Sequence, residues 1–390
     1  MKERIRTWYE RLFFTPKNLP PASYSNQESI DPEFPYRLHL RVQPDGTGVL
    51  IVNASTVLHL NQTAAEFAYH LIKQTPFETM VSEIKKRYRI DDVQVRSDIQ
   101  DFKTRVETLI STPDLDPVTY LNFDRVAPYS GPISAPYRLD CSLTYRVTEK
   151  NNEEAAPLDR VHRELGTDEW KQVLGKAWDA GIPHVVFTGG EPTLRPDLPA
   201  LIACAEKKGI VTGLITDGLK FLDKDYLNEL LQSGLDHLMF ILRTDMFKSW
   251  KALENVLKAD IFTSVHFTLT SSNRSTALKD LERIHSLGAG SLSLSAESID
   301  LKDQLHSIRN AAAEMGLSLV WDLPVPYSSL HPVSMELSDV EEISAGAGKA
   351  WLYLEPDGDV LAAQGMPEVY GNLLTDPWET IWSRLQPPSA

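Results

Sequence analysis

The stretch HVVFTGGEPTLRPDL, residues 184–198, carries an apolar run into Thr188-Gly189-Gly190-Glu191-Pro192. Adjacent glycines have no Cβ and reach positive φ, so backbone polar groups just past a strand can come close to a ligand. Glu191 adds a carboxylate suited to an ammonium group, and Pro192 fixes the turn. Standing alone, such a phrase after a strand is most often only a turn. A second phrase, Thr216-Asp217-Gly218, ends another short apolar run, with a simple helix-entry turn as the alternative reading. Parallel sheets take ligands beyond the carboxyl ends of their strands, so one pocket bordered by both phrases is expected.

Thiols are scarce. Cys141 and Cys204 are the two cysteines of the chain, too few for a disulfide framework or a four-ligand zinc site. Cys141 alternates with Tyr137, Leu139, Leu143 and Tyr145 on the apolar face of a period-two pattern, where a small buried hydrophobe is expected. Cys204, in LPALIACAEKKG, fits the same core role on a helix. No Ser/His/Asp set, carboxylate pair or HExxH helix stands out, and His184, His237, His266 and His285 are expected as scattered packing or surface residues.

The elements that must position these residues follow from periodicity. Apolar strands are expected near residues 139–145, 185–187, 214–215, 238–242, 265–269, 292–294 and 317–321, with helices between them, the βα repeat of a parallel sheet or barrel. Trp170, Val173, Leu174, Ala177 and Trp178 fall on one helical face, with Gly181 as its stop. Upstream, Leu38, Leu40 and Val42, the Pro44-Asp45-Gly46 turn, and Val49, Ile51 and Val57 predict a small antiparallel unit. A capping box at Thr63–Glu66 is expected to open the first of three helices, the others over 77–88 and 93–110. Residues 112–136 hold five prolines and no period, as a linker would. Past Gly346 a hairpin turned at Asp357-Gly358 and a Trp-rich helix form a small appendage.

The chain has 390 residues and a formal net charge of −15, which opposes the counterion release that drives nucleic-acid binding. No apolar run spans a membrane, and the first twenty residues lack the features of a signal peptide, so a cytoplasmic protein is expected. Ile5, Trp8, Tyr9, Leu12 and Phe13 share one helical face, which packs on the protein itself or, as the alternative, lies on a membrane surface.

The Gly-Gly-Glu-Pro phrase, taken with the upstream LTYR, the helix ending at Gly181, ITDG, PDGDV and the GN phrase, resembles the radical S-adenosylmethionine (radical SAM) superfamily over residues 135–390. LNQTAAEFAYHLI resembles the first helix of PqqD-like domains, which grip a peptide leader by strand addition. The resemblance implies an α/β protein with a partial parallel (β/α)6 barrel. It also implies an N-terminal winged-helix PqqD-like domain and a SPASM/twitch-like C-terminal extension. The implied division is an arm over 1–30, the PqqD-like domain over 31–112, a linker over 113–134, the barrel over 135–335 and the extension over 336–390. Thr188, Gly189, Gly190, Glu191, Pro192, Thr216 and Asp217 are then the residues that would contact S-adenosylmethionine. One departure is large. In the family LTYR runs into CxxxCxxC, three thiolates that hold a [4Fe–4S] cluster, whereas this register places Val147, Asn151 and Glu154 there. Ser344, Ala363 and Gln364 stand where the extension's cysteines are expected. No iron–sulfur cluster and no metal site are therefore expected.

Two readings remain open at this point. One is a catalytically silent relative that binds a peptide, such as a precursor leader, or an active radical SAM enzyme. The alternative is an enzyme of the family that uses S-adenosylmethionine by cluster-independent or altered chemistry.

Overall fold

A computed structural model describes residues 19–26, 38–52, 56–88, 91–111, 133–148, 161, 163–319 and 346–386. Residues 1–18 and 27–30 of the expected arm, most of the linker, and Asn151, Glu154 and Ser344 lie outside the described residues, whereas Ala22–Asn26 of that arm form a strand of the first unit. The chain divides into two compact units, Met1–Val126 and Ala127–Ala390.

In the first unit, β1 (Ala22–Asn26), β2 (Leu38–Val42), β3 (Gly48–Val52) and β4 (Thr56–Leu60) pair antiparallel in sequence order. The predicted turn is present: Gly46 has φ of 84°, and Asp45 Oδ1 accepts from the Thr47 amide at 2.9 Å. Leu38, Leu40, Val42, Leu50, Val52, Leu58 and Leu60 pack on Ala65, Ala68 and Ile72 of α1 (Gln62–Ile72). Helices α2 (Phe77–Tyr88) and α3 (Asp92–Ser111) close a second apolar cluster around Phe67, Met80, Ile84 and Ile99. The expected capping box is not the one that forms. Asn61 is the N-cap and accepts from the Ala64 amide, while Glu66 is fully buried and takes a 2.6 Å hydrogen bond from Arg87. A buried carboxylate finds a guanidinium more favourable than a distant amide at the helix start.

In the second unit seven strands run parallel in sequence order: β5 (Arg138–Thr144), β6 (His184–Gly189), β7 (Val211–Thr216), β8 (His237–Leu242), β9 (Phe262–Leu269), β10 (Ser291–Ala296) and the short β11 (Ser318–Leu319). Between them lie α4 (Thr167–Asp179), α5 (Leu198–Lys208), α6 (Lys224–Gln232), α7 (Phe247–Val256), α8 (Ala277–Ser286) and α9 (Lys302–Glu314). The order advances without reversal, unlike a doubly wound sheet, whose order turns back at a switch point. Leu139, Cys141 and Leu143 of β5 share one core with Trp170, Val173, Leu174 and Ala177 of α4. By strand alternation, Asp140, Ser142 and Thr144 face the other way, the side on which Val186, Ile215 and Met239 form a small separate cluster.

The C-terminal hairpin is not a free-standing appendage. Its first strand, β12 (Trp351–Leu354), pairs in parallel with β5, and β13 (Val360–Leu361) pairs antiparallel with β12, so both extend the main sheet. Leu352, Leu354, Val360, Leu373 and Ile381, the last from α10 (Trp378–Leu385), belong to the main core. Among the described residues no helix is long and apolar enough to cross a membrane.

Candidate functional site

β6 ends at Gly189, and the chain leaving β5 crosses directly over that end. The Gly190 amide donates to Thr144 O and the Glu191 amide to Arg146 O, each at 2.7 Å. A Cβ on Gly190 would lie 2.1 Å from Arg146 O, and one on Gly189, at φ of 123°, would lie 2.3 Å from Thr144 O. The close approach that these glycines permit is thus first of all to the chain's own backbone.

Glu191 is 3% exposed. Its Oε1 accepts from Thr193 N at 2.9 Å, Thr193 Oγ1 at 2.6 Å and Thr216 Oγ1 at 2.7 Å, and its Oε2 accepts from Asp217 N at 2.8 Å. The carboxylate ties the ends of β6 and β7 together. Burial, and then the nearby Asp217 charge, push its pKa up to about 8 against the pull of these hydrogen bonds. Asp217 is less enclosed: Oδ1 accepts from the Leu219 amide at 2.9 Å and Oδ2 from the exposed Thr148 hydroxyl at 2.7 Å. The structure therefore brings Thr188, Gly189, Gly190, Glu191, Pro192, Thr216 and Asp217 to two adjacent strand ends.

Beneath Gly189, Ser142 and Thr188 are register partners on β5 and β6. Both are fully buried, and neither hydroxyl has a hydrogen-bond partner among the described residues. Buried polar groups are normally satisfied, so these hydroxyls fit a polar ligand group or ordered water at the strand ends.

An ion network surrounds the exit of β5. Arg195 donates to Leu143 O at 3.2 Å, to Leu165 O at 3.0 Å and, through two nitrogens, to Asp197 at 2.9 and 2.8 Å. Thr144 donates to Glu164, which also faces Arg146 at 3.7 Å and Arg195 at 3.8 Å. The thiols are elsewhere. Cys141 is fully buried on the helix-facing side of β5, where burial, and then the Asp140 charge, drive its pKa well above the usual thiol range. Cys204, on α5, packs against that same core. Cluster irons are most often held by thiolates open to the metal, and Cys141, sealed in the core, is not placed as one.

Sequence reasoning missed a second arrangement. His184 and His237 meet with Nε2 atoms 2.7 Å apart, across Gly213 on the strand between them, whose absent Cβ would lie 2.2 Å from His237 Cε1. Arg138, on β5, is ion-paired with Asp140 at 2.7 Å and stacks over Trp351 of β12. Burial first, and then neighbouring positive charge, hold His237 down at about 4 and His184 well below its usual value. The signal was available: histidines open two strands that flank a strand containing glycine.

Residues 141–244, within the second unit, match the family model described as Radical SAM superfamily. Over 173 residues the chain is 28% identical to PqqA peptide cyclase of Granulibacter bethesdensis, covering 40% of this chain and 46% of that protein. Over 81 residues it is 46% identical to PqqA peptide cyclase of Bradyrhizobium diazoefficiens, covering 21% of each. The chain thus spans less than half the length of the curated relatives it matches. Among solved structures, SuiB of Streptococcus suis bound to precursor peptide SuiA matches with a TM-score of 0.58 and 15% identity over 88% of this chain and 86% of that one. SuiB bound to S-adenosylmethionine matches with a TM-score of 0.57 and 16% identity, over 92% and 88%. At these identities the likeness is one of fold.

Proposed function

We propose that this chain is a radical SAM-like protein without cluster ligands, catalytically silent, which binds a peptide or a partner enzyme in the modification of a ribosomally made peptide. The observation that carries this reading is the placement of the two thiols: one sealed in the core of β5, the other against the same core on α5. With no cluster there is no electron donor to cleave the cofactor. The relatives named PqqA peptide cyclase, and the fold shared with a protein solved with its precursor peptide, support a peptide as the partner. The four-stranded meander followed by three helices suits a PqqD-like winged-helix domain, which takes in β1 (Ala22–Asn26) ahead of the expected 31–112. Ala363 and Gln364, just past β13, suit a SPASM-like remnant over 336–390 whose ligands are gone. A partial barrel of six full strands, β5 to β10, is the architecture this reading assigns to residues 135–335.

Anaerobic iron and sulfide reconstitution, followed by metal analysis and absorption spectroscopy, tests this. We expect a folded, colourless, iron-free protein. About four irons per chain with a broad cluster absorption band would overturn the reading. A second reading, use of S-adenosylmethionine without a cluster, is favoured by the unpartnered Ser142 and Thr188 hydroxyls. It predicts stabilisation by the cofactor through mass action.

A further inference from the structure

We infer that Glu66, His70 and Glu83 of the first unit form a site for one divalent transition-metal ion of the zinc type, which fastens α1 to α2. Glu66 and His70 lie one turn apart on α1 and so share a face of that helix. Past the helix the chain turns through Gln74, at φ of 50°, and the Thr75 amide donates to His70 O at 2.9 Å. That turn sends α2 back along α1 and brings Glu83 to the histidine. His70 Nε2 stands 3.7 Å from Glu66 Oε1 and 3.7 Å from Glu83 Oε2. Those distances are too long for hydrogen bonds. They are close to the spacing of about 3.3–3.5 Å between ligand atoms that share one tetrahedral zinc.

Glu66 is fully buried and His70 is 1% exposed, yet neither Glu66 Oε2 nor His70 Nε2 has a hydrogen-bond partner among the described residues. Buried polar atoms are normally satisfied, and these two belong to neighbouring side chains of metal-ligating type. The other polar atom of each side chain is already fixed. Arg87 Nε donates to Glu66 Oε1 at 2.6 Å, and His70 Nδ1 meets the Thr75 hydroxyl at 3.1 Å. With the Nδ1 proton given to Thr75, Nε2 presents a lone pair, the form a metal takes, and the ring is oriented from its far side as ligating imidazoles are. Arg87 stands behind the carboxylate as an outer partner and leaves Oε2 for a ligand; its guanidinium opposes a cation, so the expected affinity is moderate. Glu83 is half-exposed, so its side chain can swing inward to complete the set, and water reaches a fourth position from that side. The site lies outside the second unit and is independent of the cluster-free reading of that unit.

The test is titration calorimetry of the full chain with zinc chloride, and with cobalt(II) chloride followed by visible absorption, on wild type, His70→Gln, Glu83→Gln and, as a control, Asp359→Asn. Melting temperatures are recorded for each. Asp359 belongs with Glu355 and Asp357 to a separate group of carboxylates in the C-terminal hairpin, where an ion could bind for other reasons. We expect one zinc per chain that depends on His70, the visible bands of four-coordinate cobalt, and a first unit that melts higher with zinc present, by mass action. Glu83→Gln should weaken that uptake at least about tenfold and His70→Gln should abolish it, while Asp359→Asn keeps it within about threefold. Glu83→Gln changes a half-exposed position and is expected to fold, so it decides alone if His70→Gln does not. Wild type that takes up no zinc overturns the inference and leaves ordered water as the partner of the two buried atoms. Uptake unchanged in Glu83→Gln, or lost in Asp359→Asn alone, overturns it as well by placing the ion elsewhere. Failure here and failure of the cluster-free reading are separable, because a single ion at this site supplies neither about four irons per chain nor a cluster absorption band.

Discussion

Glu191 shows how the surroundings of one side chain in a Gly-Gly-Glu-Pro phrase give it structural work. Four donors converge on it, so replacing it by Gln turns an amide nitrogen toward a fixed N–H and should cost about 1–3 kcal/mol in denaturant unfolding. Its pKa is raised by burial and by Asp217, to about 8 from an ordinary 4.5. Between those values the folded state holds a proton that the unfolded chain has lost. The contribution of Glu191 to stability is therefore full below about pH 4.5 and lost as pH rises toward 8. Unfolding free energies measured across that window should decline with pH in wild type and flatten in Glu191→Gln; parallel profiles would refute the assignment. Gly190 is the more brittle neighbour. Alanine there sets a methyl 2.1 Å from a backbone carbonyl that cannot rotate away, so Gly190→Ala should destabilise by about 3 kcal/mol or more, read as a lost or strongly lowered melting transition.

At the scale of elements, much was legible because the period of apolar residues reports burial directly. Trp170, Val173, Leu174 and Ala177 were readable as the inward face of a helix, Gly181 as its stop, and Cys141 as a core residue, and each lies so in the structure. The capping box was not, since the local pattern Thr-x-x-Glu could not show that Arg87 would take the carboxylate. The histidine pair left only a partial sign, histidines opening two strands that flank one with a glycine, because its partners are 53 residues apart and meet only when β6, β7 and β8 align. That pair makes its own prediction. Both imidazoles are held neutral by burial, with Arg138 adding positive charge beside them and its partner Asp140 buried on the same strand. Their folded pKa values lie below the unfolded value of 6.5, so the unfolded chain binds protons more readily as the medium acidifies. Stability should therefore hold above pH 6.5 and fall as pH drops toward 4. His237→Gln should flatten this acid limb in thermal melts; an unchanged limb would remove the pair as its cause.

For the whole molecule, what sequence could not show was that the C-terminal segment completes the sheet on which the site rests. A hairpin with its own turn reads as an independent unit, because the pairing of Trp351–Leu354 with Arg138–Cys141 is an event between segments some two hundred residues apart. The consequence reaches the site through β5. The Tyr145 hydroxyl donates to Glu355 at 2.9 Å, and the Leu165 amide donates to Pro356 O at 2.7 Å, with Leu165 O in turn held by Arg195. Leu352, Leu354, Val360, Leu373 and Ile381 are all fully buried, and each such side chain is worth about 1.5–3 kcal/mol on leaving water. A few of them together rival the 5–15 kcal/mol by which a whole domain is stable. A chain ended after residue 345 would expose the edge of β5 and that apolar surface at once. It should lose the cooperative unfolding transition of the second unit and bind a hydrophobic dye, while the first unit, with apolar clusters of its own, keeps its transition. Tyr145→Phe, which removes the hydroxyl that donates to Glu355, should keep both transitions and lower that of the second unit by about 1–3 kcal/mol. If the shortened chain instead unfolds cooperatively with both transitions intact, β12 and β13 are an accessory edge, and the support they give to the exit of β5 is dispensable.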